Sequence, residues 1–166
     1  MKLKKIFALA LSCVMAVGVL TGCGGSGSGA APVKTAKEAA DALLAANPIS
    51  NQLALDDNLV ELELELEAEN YTEYAGVLSN DQSDSGRVIV IAYADGQETV
   101  VTDALEAYRQ NQVVFFGNYP EFADAKARLE DDYALVSGNG LAVLAVASSE
   151  CPDVDTMISA AEGLVG

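Results

Sequence analysis

Val88-Ile89-Val90-Ile91-Ala92-Tyr93-Ala94 is the stretch on which the fold turns. It is almost wholly apolar. Successive side chains of a strand point to opposite faces, so such a run predicts a central strand buried on both sides. Working upstream, Asn80 to Gly86 is a polar loop, and Tyr71 to Ser79 predicts a neighbouring strand. Beyond it, Val60 to Glu69 reads Val-Glu-Leu-Glu-Leu-Glu-Leu-Glu-Ala-Glu. As a strand this puts Val60, Leu62, Leu64 and Leu66 on one side and glutamates on the other. As a helix it scatters the leucines and sets Glu61 against Glu65 at like-charge spacing. The pattern favours an antiparallel strand with a wet face.

Downstream, Asp95-Gly96 breaks the central strand. Val101, Leu105, Tyr108, Gln112 and Phe115 then follow helical spacing through a long helix that Gly117 and Pro120 end or kink, with a short helix over Glu121 to Leu129. Tyr133 to Ser137 and Leu141 to Ala147 flank Gly138-Asn139-Gly140, whose residues tolerate positive φ and predict a tight hairpin. Val154, Met157, Ile158 and Ala161 mark a last helix, with Asp153 and Asp155 at its positive end. At the other end of the domain, Thr35 and Glu38 form a capping box ahead of Ala36, Ala39, Ala40, Leu43 and Leu44, and Asn47-Pro48 stops that helix. The expected fold is α+β: a two-layer, mainly antiparallel sheet of about five strands packed by two longer helices and one or two short ones. It occupies residues 34–166 as one acidic domain.

Before the domain lie Lys2, Lys4 and Lys5, an apolar run from Ile6 to Leu20, and Leu20-Thr21-Gly22-Cys23. This is the build of a secretory leader, and its apolar part is shorter than the roughly 20 residues a spanning helix needs. The four residues ending at Cys23 resemble the lipobox of bacterial lipoproteins. That resemblance implies removal of residues 1–22 as a signal peptide and a diacylglyceryl group on the Cys23 thiol, which anchors the chain to the bilayer. Gly24 to Pro32 is a Gly/Ser-rich tether with a reach of about 17 Å, so residues 23–33 hold the domain off the membrane. The expected location is the cell membrane, lipid-anchored and facing outside the cytoplasm.

Composition narrows the chemistry. The chain carries a net charge of −16, and all 25 Asp and Glu follow Cys23, so losing the leader makes it more acidic still. Such a charge argues against nucleic acid and against lying flat on anionic lipid, since both need basic patches. With no histidine, Ser-His-Asp and Cys-His catalysis and nearly all zinc or copper sites drop out. Cys13 leaves with the leader and Cys23 takes lipid, so Cys151 stands alone. No cofactor is expected.

The candidate sites are few. Asp81, Ser83 and Asp84 place oxygen atoms ahead of Gly86 and faintly suggest a calcium loop, but the twelfth residue counted from Asp81 is Ala92, not the bidentate glutamate an EF-hand requires. An ordinary polar turn is favoured. The glutamates from Glu61 to Glu69 read as a solvated face that gathers cations only diffusely. Cys151 ahead of Pro152 sits near a helix start that favours thiolate, yet it has no base, and a buried small apolar role is preferred. Arg109, in a mostly polar helix stretch, either pairs with an acidic neighbour or holds an anionic ligand; the pair is favoured. Tyr108, Phe115, Phe116 and Tyr119 read as core and helix-end packing rather than a stacking platform.

The order of lipobox, tether, Asn80-containing loop after Tyr74-Ala75-Gly76, and a Tyr108-Arg109-Gln110 helix running into Tyr119-Pro120 resembles Gram-positive lipoproteins carrying domain of unknown function 4358. Their closing hairpin and hydrophobic strand before an acidic helix look like Gly138-Asn139-Gly140-Leu141 through Ala147 here. The resemblance runs from Ile49 onward. It implies an extracellular lipoprotein and no assigned activity, so it transfers no catalytic residue. The sequence therefore favours a non-catalytic binding or scaffold module of the cell envelope, meeting an unknown envelope protein or small ligand. A carboxylate-based hydrolase or transferase and an acidic cation-binding domain are the alternatives.

Overall fold

A computed structural model describes residues 34–166; the leader, the lipobox with Cys23 and the tether lie outside them. The elements run α1 (Ala36–Ala46), β1 (Gln52–Ala54), β2 (Tyr71–Ser79), β3 (Arg87–Tyr93), α2 (Glu98–Gly117), α3 (Ala123–Asp131), β4 (Tyr133–Gly138), β5 (Leu141–Val146) and α4 (Val154–Val165). The five strands form one antiparallel sheet in the order β1-β2-β3-β5-β4.

β3 occupies the middle of that sheet, as its apolar run demands. Val88, Ile89, Val90 and Ile91 are all fully buried. Odd and even residues serve different layers. Ile89 and Ile91 pack with Leu144 and Val146 of β5 against Val101, Leu105 and Tyr108 of α2 and Leu129 of α3. Val88 and Val90 pack with Leu141 and Val143 against Leu43 of α1 and Ala161 and Leu164 of α4. The α+β class and the five antiparallel strands stand, but the expected two layers become three. Two adjacent strands apolar on both faces leave no face that water can take, and each large aliphatic so covered contributes about 1.5–3 kcal/mol.

Local chemistry fixes the joints. The Thr35–Glu38 capping box is formed in both directions, and Glu73 of β2 accepts from the backbone amides of Ala36 at 3.3 Å and Lys37 at 3.4 Å, pinning α1 to the sheet. Asn139 at φ 50° and Gly140 at φ 82° supply the two left-handed residues of the β4–β5 turn. Asp153 caps α4 through the amides of Asp155 and Thr156.

The expected strand over Val60 to Glu69 does not form. Leu59–Glu63 is a short π-helical turn whose first amide is capped by the Asp56 carboxylate at 2.9 Å, and Leu64 donates back to the Leu59 carbonyl at 3.0 Å. Glu65 then takes φ 54°, which turns Leu66 back into the core beside Leu64. Leu59, Val60, Leu64 and Leu66 are buried over the α2-side layer, whereas Leu62 is 73% exposed. A single strand face would have buried Leu62 with its neighbours. The fifth strand is instead β1, three exposed residues on the edge beside β2.

Candidate functional site

Arg87 opens β3, paired across to Leu78 on one side and Val146 on the other. Strand parity sends its side chain the same way as Ile89 and Ile91, underneath α2. It is only 4% exposed. Its Nε donates to the Ser85 carbonyl at 2.9 Å and its Nη1 to the Tyr108 hydroxyl at 2.9 Å, with the guanidinium carbon 5.3 Å from the Tyr108 ring centroid. Those contacts lock the side chain without neutralising it. The ion pairs among the described residues are Lys37–Asp41, Arg109–Glu106 and Lys126–Glu130; none includes Arg87.

Nη2 of Arg87 donates to no described residue. Ser85 Oγ is the one sealed-off side-chain polar atom without a partner among the described residues, so Nη2 keeps an opening to solvent. Burial pulls the Arg87 pKa below its ordinary value, opposed by Tyr108 and by the charges of Glu63 and Asp84. A guanidinium nevertheless stays protonated, so a positive charge is held here in a desolvated place. Tyr108 accepts the Arg87 bond, and its own proton is committed to no described acceptor. Burial pushes its pKa up while Arg87 opposes the shift, so the hydroxyl remains a donor at neutral pH.

Over these two side chains opens a groove of about 720 Å³. Leu59 of the π-helical turn and Leu78 of β2 line it together with an aromatic wall that includes Phe116 and Phe122. The wall exists because α2 ends at Gly117 and Pro120 starts a single 3-10 turn, which folds the rings together. Phe116 and Phe122 are 5.8 Å apart, Phe115 and Tyr119 5.5 Å, and Tyr119 and Phe122 5.6 Å. The helical stripe read as packing therefore divides: Tyr108 and Phe116 are buried, whereas Phe115 is 50% and Tyr119 42% exposed at the rim, facing Leu53 of β1. Glu63, Asp84 and Glu121 also border the groove. The Asp84 carboxylate is held through one oxygen, Oδ1 accepting from the amides of Gly86 at 3.1 Å and Ser149 at 3.0 Å.

Arg109 lies elsewhere, between α2, α3 and β4. Glu106 grips it through two hydrogen bonds of 2.8 and 2.6 Å, its Nη1 donates to the Leu129 carbonyl at 2.6 Å, and it stacks 4.1 Å from the Tyr133 ring centroid. All three interactions are internal. Arg109 holds Glu106 below the usual carboxylate range. A depressed carboxyl stabilises the fold above its unfolded pKa and loses that effect as pH falls through the folded value. Because Glu106 is over a third exposed, Glu106→Gln should cost under about 1 kcal/mol at neutral pH, and the gap to wild type should close in acid. Arg109→Ala, which also orphans the Leu129 carbonyl and loses the Tyr133 stack, should cost about 2–3 kcal/mol. Urea unfolding at neutral and acidic pH checks both.

Asp81 accepts from the amide and hydroxyl of Ser83 at 2.9 and 2.8 Å, an ordinary turn closure that lowers its pKa. Asp84 Oδ1 accepts from two backbone amides, and no group of three metal-binding side chains is found among the described residues. The Cys151 thiol is half-buried, donates towards the Ala46 carbonyl at 3.8 Å, and has its pKa raised by burial.

Comparison with known proteins adds one finding. The chain matches the family described as Domain of unknown function (DUF4358) over residues 45–146, and it belongs to that family. No curated protein and no solved structure matches it. The matched span includes Arg87, Tyr108 and the aromatic wall.

Proposed function

We propose that this DUF4358 chain is a lipid-anchored, extracytoplasmic binding module of a Gram-positive cell envelope, without catalytic activity of its own. The observation that carries the anchoring is Leu20-Thr21-Gly22-Cys23 closing a basic-then-apolar leader and followed by a Gly/Ser tether. Among the described residues no helix is long and apolar enough to cross a membrane, so the diacylglyceryl group on Cys23 is the attachment this reading requires. Binding is favoured by the groove: a rigidly held cation with an open donor beneath exposed aromatic rings is built to recognise, and its neighbours include no histidine to move protons. The alternative of a carboxylate-based hydrolase draws on Glu63 and Glu121, which border the same groove.

The anchor is tested by fractionating a Gram-positive host that expresses wild type or Cys23→Ala. Wild type should sit in the membrane fraction and leave it only with detergent, whereas nearly all of the variant's mature-sized domain should lose that attachment. Equal membrane retention of both forms would rule out the lipid anchor. Crosslinking on intact cells, with Arg87→Met alongside, then asks whether an envelope component occupies the groove.

A further inference from the structure

We infer that the groove between α2 and the β1–β2 edge binds a monocarboxylate with an apolar, preferably aromatic, body, its carboxylate held by Nη2 of Arg87 and the hydroxyl of Tyr108. The inference rests on the binding-module reading and names its ligand class.

Three observations carry it. First, Arg87 is nine-tenths buried and has no ion-pair partner among the described residues, its Nη2 donates to none of them, and it lines the groove. Glu63 and Asp84 favour its charge through space but form no ion pair with it, and a bound anion supplies a direct partner through a charge-assisted hydrogen bond. Second, Tyr108 accepts from Arg87 and has its own proton free, so two donors stand side by side, as the two oxygens of a carboxylate need. The second donor comes already polarised by the first, because Arg87 donates into the same hydroxyl. Third, one end of the groove is walled by Phe115, Phe116, Tyr119 and Phe122, which suits an aromatic body, and its volume of about 720 Å³ suits a small organic molecule.

The acids decide the charge of that molecule. Glu63 and Asp84 lie close enough to Arg87 to favour its protonated form. They would repel a phosphate dianion about twice as strongly as a single negative charge in the same place, so a monoanion is the better fit to Arg87. Glu121, at the aromatic end, sets the same limit on any second anionic group there. A free peptide C-terminus ending in an aromatic residue and a simple aryl-alkyl acid share this chemistry, and the experiment separates them.

The test is calorimetric titration and thermal shift of the full-length chain with 4-phenylbutyrate, its neutral amide, the corresponding phosphonate, and a short peptide ending in phenylalanine as free acid or as amide. The carboxylates should bind and raise the melting temperature; the amides and the phosphonate should bind at least about tenfold more weakly. A stronger response from the peptide acid than from phenylbutyrate identifies a chain terminus as the source, and the reverse identifies a small acid. Arg87→Met should lose about tenfold or more, and Tyr108→Phe, which keeps the ring, about three- to tenfold. Equal binding of acid and amide, unchanged binding by both variants, or no carboxylate binding at millimolar concentration overturns the inference. Since none of these readouts involves Cys23, such a failure leaves the membrane attachment standing and is distinguishable from its failure.

Discussion

Gly76→Ala should leave no cooperatively folded protein. Gly76 lies mid-strand in β2, opposite Ile89, at φ 152°, and a Cβ there would fall 2.0 Å from the Val88 carbonyl oxygen and 3.1 Å from the Ile89 Cα. That obstacle is backbone of β3, paired on both sides and fully buried, so it has nowhere to go. The Gly76 carbonyl is also committed, accepting from the Leu55 amide at 3.0 Å. Relief requires breaking the β2–β3 ladder, a cost above about 4 kcal/mol against a total stability of about 5–15 kcal/mol. Gly138→Ala is the control. Its Cβ would meet the Val165 carbonyl at 2.4 Å, but Val165 ends the last helix and can retreat. Circular dichroism and amide NMR dispersion should show Gly138→Ala destabilised but folded and Gly76→Ala unfolded. A cooperative transition for Gly76→Ala near that of wild type would contradict the close approach of the two strands.

Asn47→Ala should cost about 3–5 kcal/mol. Asn47 ends α1, fully buried, and its side chain joins segments a hundred residues apart. Nδ2 donates to the Val146 carbonyl and Oδ1 accepts from the Ser148 amide, each at 2.9 Å. Alanine leaves both backbone groups buried without partners, at about 1–3 kcal/mol each, and adds a small cavity. The effect reaches the loop before β3, because Ser149 donates to Asp84 and Gly86 packs against Ser148. Urea unfolding should give a lower midpoint with an unchanged slope. A loss below about 1 kcal/mol would show that water or a rearranged loop satisfies those groups instead.

The elements that could be read from the sequence are those whose cause is local. Val88–Ala94 needed only its own apolarity, Asn139-Gly140 only its tolerance of positive φ, and Thr35 with Glu38 only their spacing. Residues 60–69 misled because perfect alternation says that two faces differ, not that both belong to one strand; the left-handed Glu65 and the Asp56 cap redirect the leucines. Asp56, three residues before Leu59, was the available clue. Among the arginines the polar helix drew attention to Arg109, whose bonds prove to be internal. Arg87 was passed over because its partner Tyr108 is 21 residues away and on another element. Its parity was legible even so: an arginine two residues before Ile89 on a strand buried on both faces has to point inward. The aromatic rim was not legible, since the same helical stripe supplies buried Phe116 and exposed Phe115, and only the turn at Pro120 decides which ring lines a groove.

If Arg87 is kept for what it binds and not for stability, urea unfolding of the ligand-free full-length chain should barely distinguish wild type from Arg87→Met. A cation with no carboxylate partner gives up little when an apolar side chain of similar length replaces it. The expected result is a stability within about 1 kcal/mol of wild type or above it, the Ser85 carbonyl being the main group left unpaired. A loss of about 3 kcal/mol or more would make Arg87 part of the scaffold and contradict the groove as a site.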